Sequence, residues 1–204
     1  MFDIYVINLE ERTDRLEKIK EIFKDFNLIR INAIKHENGA IGCFLSHIEC
    51  IKIAKQNNLK NIFVIEDDCI PYYTETNFVN RLCKVKKILD EYEDWDIFLG
   101  STNHVFAQDV IEKKNILEIF FLKMIRGSSA HMICYNQKVY DTFINANPYT
   151  DGPVDKFWIN KFTAIVPIPF IASQNEGFSN ILNKNISYKK RITNSNNYFT
   201  SLKI

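Results

Sequence analysis

At 204 residues with 46% hydrophobic content, the chain is long enough to bury a substantial core, which excludes wholesale disorder. Its 26 Lys and Arg nearly cancel 25 Asp and Glu, so there is no basic footprint of the kind a nucleic-acid-binding domain carries. Five scattered cysteines without a Cys-x-x-Cys pair exclude a zinc ribbon or thioredoxin-like centre, and Cys43 and Cys134 read as small core residues in a reducing compartment.

Residues 2–9 read as a buried strand ending at Asn8-Leu9. From Glu10 to Phe26, Leu16, Ile19, Phe23 and Phe26 recur at helical spacing with charges on the other face. A short strand over 28–32 is followed by Gly39–Gly42, read as a flexible hinge, and by a helix over 44–57. The run Asn61–Ile65 is β-branched and aromatic, as suits a strand buried on both faces. This β-α-β-α-β order predicts a layered α/β fold with a parallel core. Beyond Pro71 the pattern predicts a helix over 75–91, a strand over 95–99 and an irregular stretch over 101–126 with a β-rich 116–122. A strand over 129–135, helices over 137–146 and 154–161, and a strand over 163–167 complete the series. From Asn183 onward the chain is rich in Asn, Ser and Lys and reads as a mobile polar tail. The opening residues are too short and too acidic for a secretory signal, and no apolar run approaches the ~20 residues of a membrane span. A cytoplasmic protein is expected, with peripheral membrane contact left open.

The chemistry concentrates where the strand over 61–66 leaves the sheet, at Glu66-Asp67-Asp68. Along an extended chain Glu66 and Asp68 share a face and Asp67 takes the other. Carboxylates that close repel unless a cation sits among them, and Mg²⁺ and Mn²⁺ take oxygen ligands and are commonly shared with phosphates. The plainer reading is an acidic turn ahead of Pro71. Around the first helix start, Asn8, Arg12 and Arg15 could meet an anion, guanidinium being a planar fork of donors, or could form ordinary surface ion pairs. Gly39 and Gly42 precede Ser46 and His47, and would let backbone approach a ligand; a lone His there is more often a hydrogen-bonded core residue than a catalyst. Asp151-Gly152-Pro153-Val154-Asp155 reads as a helix start, where acidic residues are favoured electrostatically. Pro169–Gln174 with Ser179-Asn180 reads as a polar loop.

In chain order these segments resemble glycosyltransferase family 25, over roughly residues 2–182. The marks are Asn8-Leu9 with the two arginines, Gly39–His47, Glu66-Asp67-Asp68, Val154-Asp155, and Ser173-Gln174 followed by Ser179. The resemblance implies a GT-A-type domain over 1–182, a mixed and mostly parallel sheet flanked by helices, with 183–204 as a polar tail. It implies a UDP-sugar donor and a divalent cation, Mn²⁺ or Mg²⁺, on Glu66 and Asp68. Asn8, Arg12, Arg15, Gly39, Asp67, Ser173, Gln174, Ser179 and Asn180 would serve donor binding. Inverting transfer of a hexose to a hydroxyl of a glycan, or of a glycosylated or hydroxylated protein, needs a base. Asp155 is the first candidate and Asp151 the second, with His47 and His131 behind them. Asn180 stands where the family often carries an acidic residue, so a catalytically degenerate nucleotide- or carbohydrate-binding module is the competing reading.

Overall fold

The computed structural model describes residues 2–72, 75–103, 106–179 and 184–202. The first half alternates as its hydrophobic pattern requires: β1 (Asp3–Asn8), α1 (Thr13–Ile22), β2 (Asn27–Asn32), α2 (Gly39–Gln56) and β3 (Asn61–Glu66). Next come β4 (Cys69–Pro71), α3 (Glu75–Glu91), β5 (Ile97–Leu99) and a hairpin of β6 (Val110–Ile116) and β7 (Ile119–Met124). The chain continues through β8 (Met132–Asn136), α4 (Tyr140–Ile144), α5 (Val154–Phe157) and β9 (Ala164–Ile168). It ends with β10 (Ala172–Gln174), β11 (Gly177–Ser179), β12 (Lys184–Ile186) and α6 (Lys189–Ser201).

Eight strands form one sheet in the order β2-β1-β3-β8-β5-β9-β7-β6. β1 pairs in parallel with β2 and β3, and β5 with β9, whereas β8 runs antiparallel between β3 and β5. β7 is likewise antiparallel to both its neighbours, β9 and β6. The result is the expected mixed sheet with most strands pointing one way, although β8 interrupts the parallel core. Alternate strand residues feed two apolar layers, as a period of two dictates. Tyr5, Ile7, Val64, Leu99 and Tyr135 pack with Phe44, Ile48 and Ile51 of α2. Ile4, Val6, Phe63, Ile65 and Phe98 pack on the other face with Ile19 of α1 and Leu82, Val85 and Ile88 of α3.

Three expectations change. Residues 39–42 are the first turn of α2, not a hinge, because the Asn38 side chain caps it by accepting from the Ala40 N–H at 3.0 Å. Gly42 is needed there for backbone packing: a Cβ would stand 2.4 Å from the Ile34 carbonyl oxygen. The expected irregular stretch carries the β6–β7 hairpin, which extends the sheet edge. The expected mobile tail forms β12 and α6. Ile192 and Phe199 of α6 are buried in the main core, and Asn196 Oδ1 accepts from the Phe170 N–H at 2.8 Å. Buried residues at 192, 196 and 199 follow helical spacing, but they are few enough to vanish among Asn, Ser and Lys in sequence.

Candidate active site

The site forms where neighbouring parallel strands end. Ile7 lies opposite Glu66 in the β1–β3 register, so Asn8 and Asp67 leave the sheet side by side. The strand stops at Glu66 and the chain turns through Asp67 and Asp68. Alternation therefore ends with the strand, and all three carboxylates line one cleft of about 380 Å³, contrary to the expectation that Asp67 points away. Residues 33–36 after β2, Gly39, Gly42 and Cys43 of α2, Arg15 of α1 and Gln174 of β10 supply further walls. Carboxyl ends of strands are where open α/β sheets bind ligands.

Each carboxylate has a different environment. Asp67 accepts from Asn8 Nδ2 and from Arg15 Nη1, both at 2.8 Å. Asn8 is itself held: Nδ2 also donates to the Arg12 carbonyl at 3.0 Å, and Oδ1 accepts from Arg30 Nε at 3.1 Å. Asp68 accepts from Gln174 Nε2 at 2.8 Å, because β10 pairs with β4 and sets Gln174 opposite Cys69. Its other oxygen, Oδ1, is buried without a partner. Burial, then the charges of Glu66 and Asp67, push the Asp68 carboxyl up to about 7, with Gln174 and Arg15 pulling the other way. For Glu66, burial also favours the neutral form, but His47, the Cys43 thiol and His131 outweigh it and hold the carboxyl below its ordinary value. The Cys43 Sγ–H donates to Glu66 Oε1 at 3.1 Å, and His47 Nε2 lies 3.9 Å from the same oxygen.

The remaining expected residues are distributed unevenly. Arg15 and Gly39 line the cleft, but Arg12 turns its guanidinium to Asp14, with both contacts at 2.9 Å. Ser173 is buried and is not among the residues lining the cleft, as its place next to Gln174 on a strand requires. Ser179 ends β11 opposite Lys184, and Asn180 lies outside the described residues. Asp151 is exposed and accepts from the Asn147 N–H at 2.8 Å, closing a turn, and it lines neither cleft described here. His131 is buried between Ser101 and Ser129, each at 2.8 Å; burial lowers it to about 4, which leaves it neutral near pH 7.

Asp155 sits in a second cleft of about 660 Å³. Burial raises its carboxyl, and the charge of Glu66 raises it further, so the two clefts are electrostatically in touch. Burial raises the Tyr188 hydroxyl, and the charges of Asp155, Asp68 and Glu66 add to that against Arg191. Tyr188, Arg191, Asn194, Ser195 and Tyr198 line this second cleft from one stripe of α6 and its start, while Ile192, Asn196 and Phe199 anchor the opposite face. Sequence reading missed this stripe entirely. It also missed the cleft role of Cys43, whose position one helical turn before His47 was the available signal.

The donor set suits a hard divalent cation at Asp68. A buried oxygen without a partner and a carboxylate raised first by burial and then by neighbouring charge are both relieved by a cation, and Glu66 lies close enough for its charge to be felt.

A mixed α/β sheet with an acidic turn at its strand ends is shared with a known family of proteins. The chain belongs to glycosyltransferase family 25, described as an LPS biosynthesis protein, whose model matches residues 29–152. It is 30% identical over 141 residues to protein R655 of Acanthamoeba polyphaga mimivirus, provisionally named a glycosyltransferase. That match takes in 57% of this chain but only 42% of the relative. Among solved structures, A197 from STIV aligns over 91% of this chain and 92% of its own, at 12% identity and a TM-score of 0.44. A glycosyltransferase involved in glycosylation of the major capsid of PBCV-1 aligns over 70% and 63%, at 8% identity and a TM-score of 0.43. Likenesses at that level say nothing about activity. No helix among the described residues is long and apolar enough to cross a membrane.

Proposed function

We propose that this protein transfers a hexose from a UDP-sugar to a hydroxyl of a glycan or protein acceptor, with inversion, and depends on Mn²⁺ or Mg²⁺. The observation that carries the reading is the gathering of Glu66, Asp67, Asp68 and Arg15 in one cleft at the ends of β1 and β3. Asp68, through its unpartnered Oδ1, and Glu66 would hold the cation. When bound, it supplies Lewis-acid stabilisation to a departing diphosphate. Arg15 fixes Asp67 beside that position and adds positive charge of its own, 3.9 Å from Asp68. Asn8 clamps Asp67 from the other side, so the acidic turn is held in place before any ligand arrives.

Asp155 is the base. Its carboxyl is raised by burial and by Glu66, which makes it a better proton acceptor than an exposed carboxylate. The second cleft then takes the acceptor. Tyr188 and Tyr198 offer faces for a sugar ring, and Asn194 and Ser195 offer hydrogen bonds to its hydroxyls.

A panel of UDP-sugars read by UDP release and by thermal shift, each with Mn²⁺ and with chelator, tests the reading. One sugar should release UDP only with the metal present. Binding without turnover across the panel would favour the degenerate binding module instead. Neither binding nor turnover would remove the proposal.

A further inference from the structure

A second donor set meets the cleft wall beside the acidic turn. Cys43 and His47 are four residues apart on α2, hence neighbours on one face, and that face meets Glu66 at the end of β3. Cys43 Sγ is 3.1 Å and His47 Nε2 is 3.9 Å from Glu66 Oε1, and the three ligand atoms all lie within 4.8 Å of one another. His47 is 0% exposed, and its Nε2 has no hydrogen-bond partner. Its Nδ1 is 2.9 Å from the Tyr135 hydroxyl, itself buried, which holds the ring with Nε2 toward Glu66. A buried ring nitrogen aimed at a thiol and a carboxylate lacks one thing, an electrophile to share.

We infer that Cys43, His47 and Glu66 form a binding site for a borderline-soft divalent cation, Zn²⁺, distinct from the oxygen-lined position at Asp68. Thiolate, imidazole and carboxylate are the zinc donor types, whereas Mn²⁺ and Mg²⁺ have no preference for sulfur. Tetrahedral zinc with bonds of ~2.0–2.3 Å puts its ligand atoms roughly 3.3–3.6 Å apart. The observed 3.1 and 3.9 Å to Glu66 bracket that range, and side-chain rotation on binding draws the three ligand atoms, all within 4.8 Å of one another, to it. Cys43 and Glu66 both line the first cleft, which gives the ion its route in and leaves its fourth position for water or a phosphate oxygen. On binding, the Cys43 thiol proton goes to solvent as the Zn–S bond forms. The site uses the tautomer in which Nδ1–H of His47 donates to the Tyr135 hydroxyl at 2.9 Å, which leaves the Nε2 lone pair for the metal. An ion so placed takes Glu66 for itself, and Zn²⁺ therefore opposes a cation at Asp68.

The test uses the full chain stripped with chelator and titrated with Co²⁺ as the spectroscopic stand-in, then with Zn²⁺ to displace it. One equivalent should bind with a thiolate-to-cobalt charge-transfer band and tetrahedral ligand-field absorption. Cys43→Ser should abolish the thiolate band and weaken Zn²⁺ by about 100-fold or more, and His47→Gln should weaken it by at least ~10-fold, since even outer partners matter that much. Asp68→Asn should keep the band. Absence of a thiolate band in the parent protein, its survival in Cys43→Ser, or its loss in Asp68→Asn overturns the inference. Should His47→Gln fail to melt cooperatively, the Cys43→Ser spectrum decides.

Discussion

Replacing Asp68 with Asn should make the metal-free protein more stable at pH 8 while disabling it. The Asp68 carboxyl rises from 3.8 to about 7 in the fold, first through burial and then through Glu66 and Asp67. Its folded value lies above its unfolded one, so between these limits the native state binds a proton that the unfolded chain has released. Stability contributed by this group is therefore lost as pH rises through that window, and the full cost is present above pH 7. About three units at ~1.4 kcal/mol each put the cost at roughly 4 kcal/mol. That is a ceiling, because the side chain keeps 17% exposure and water in the cleft screens it. Asparagine preserves the shape, and its amide oxygen can still accept from Gln174 Nε2. Urea unfolding in chelator should show the variant more stable by about 2–4 kcal/mol at pH 8, with the gain falling to less than half of that at pH 5 and toward zero only below about pH 4. Added Mn²⁺ and UDP should then stabilise the parent protein and not the variant. A variant less stable than the parent at pH 8, or a difference equal at both pH values, would refute the electrostatic reasoning.

Three further outcomes follow from the same geometry. Asp155→Asn should leave UDP binding intact, measured by calorimetry, and slow transfer to acceptor by ~10²–10⁴; loss of donor binding instead would remove Asp155 as the base. Gly42→Ala forces a Cβ to within 2.4 Å of the Ile34 carbonyl, so α2 must shift from the 33–36 segment at a cost of about 1–3 kcal/mol in chemical denaturation. Phe199→Ala should cost about 3–5 kcal/mol in one cooperative transition, because Phe199 is fully buried; an unchanged midpoint would mean α6 does not dock.

Much of the first half was legible because its signals are local. The apolar run at 61–65 had to be a strand buried on both faces, and the charges behind it had to leave the sheet together. The partners of those charges were harder to read. Arg15 was visible as a candidate only because it sits on the first turns of α1, close in sequence to the end of β1. Gln174 reaches Asp68 from 106 residues away, through a two-stranded pairing of β10 with β4 that three-residue strands scarcely announce. The insertion of β8 between β3 and β5 depends on which edges remain open after the first strands pair, and no periodicity encodes that. Asp67 joins Glu66 and Asp68 in the cleft because strand alternation does not carry past Glu66 into the turn.

α6 shows why the second cleft is hidden in the sequence. A helix facing a cleft needs its exposed stripe polar, and one docked by three side chains needs little else apolar, so its composition converges on that of a loose tail. The two are separated only by position: 192, 196 and 199 fall on one side, and 191, 194, 195 and 198 on the other. A hydrophobic count sees too few residues to report, whereas a count by helical face would have found both stripes. The same polarity that hides the helix gives the second cleft a wall of Tyr, Asn, Ser and Arg, which can offer stacking and hydrogen bonds at once. The first cleft announces itself through repelling charge, and the second is legible only once the helix has been folded against Phe170.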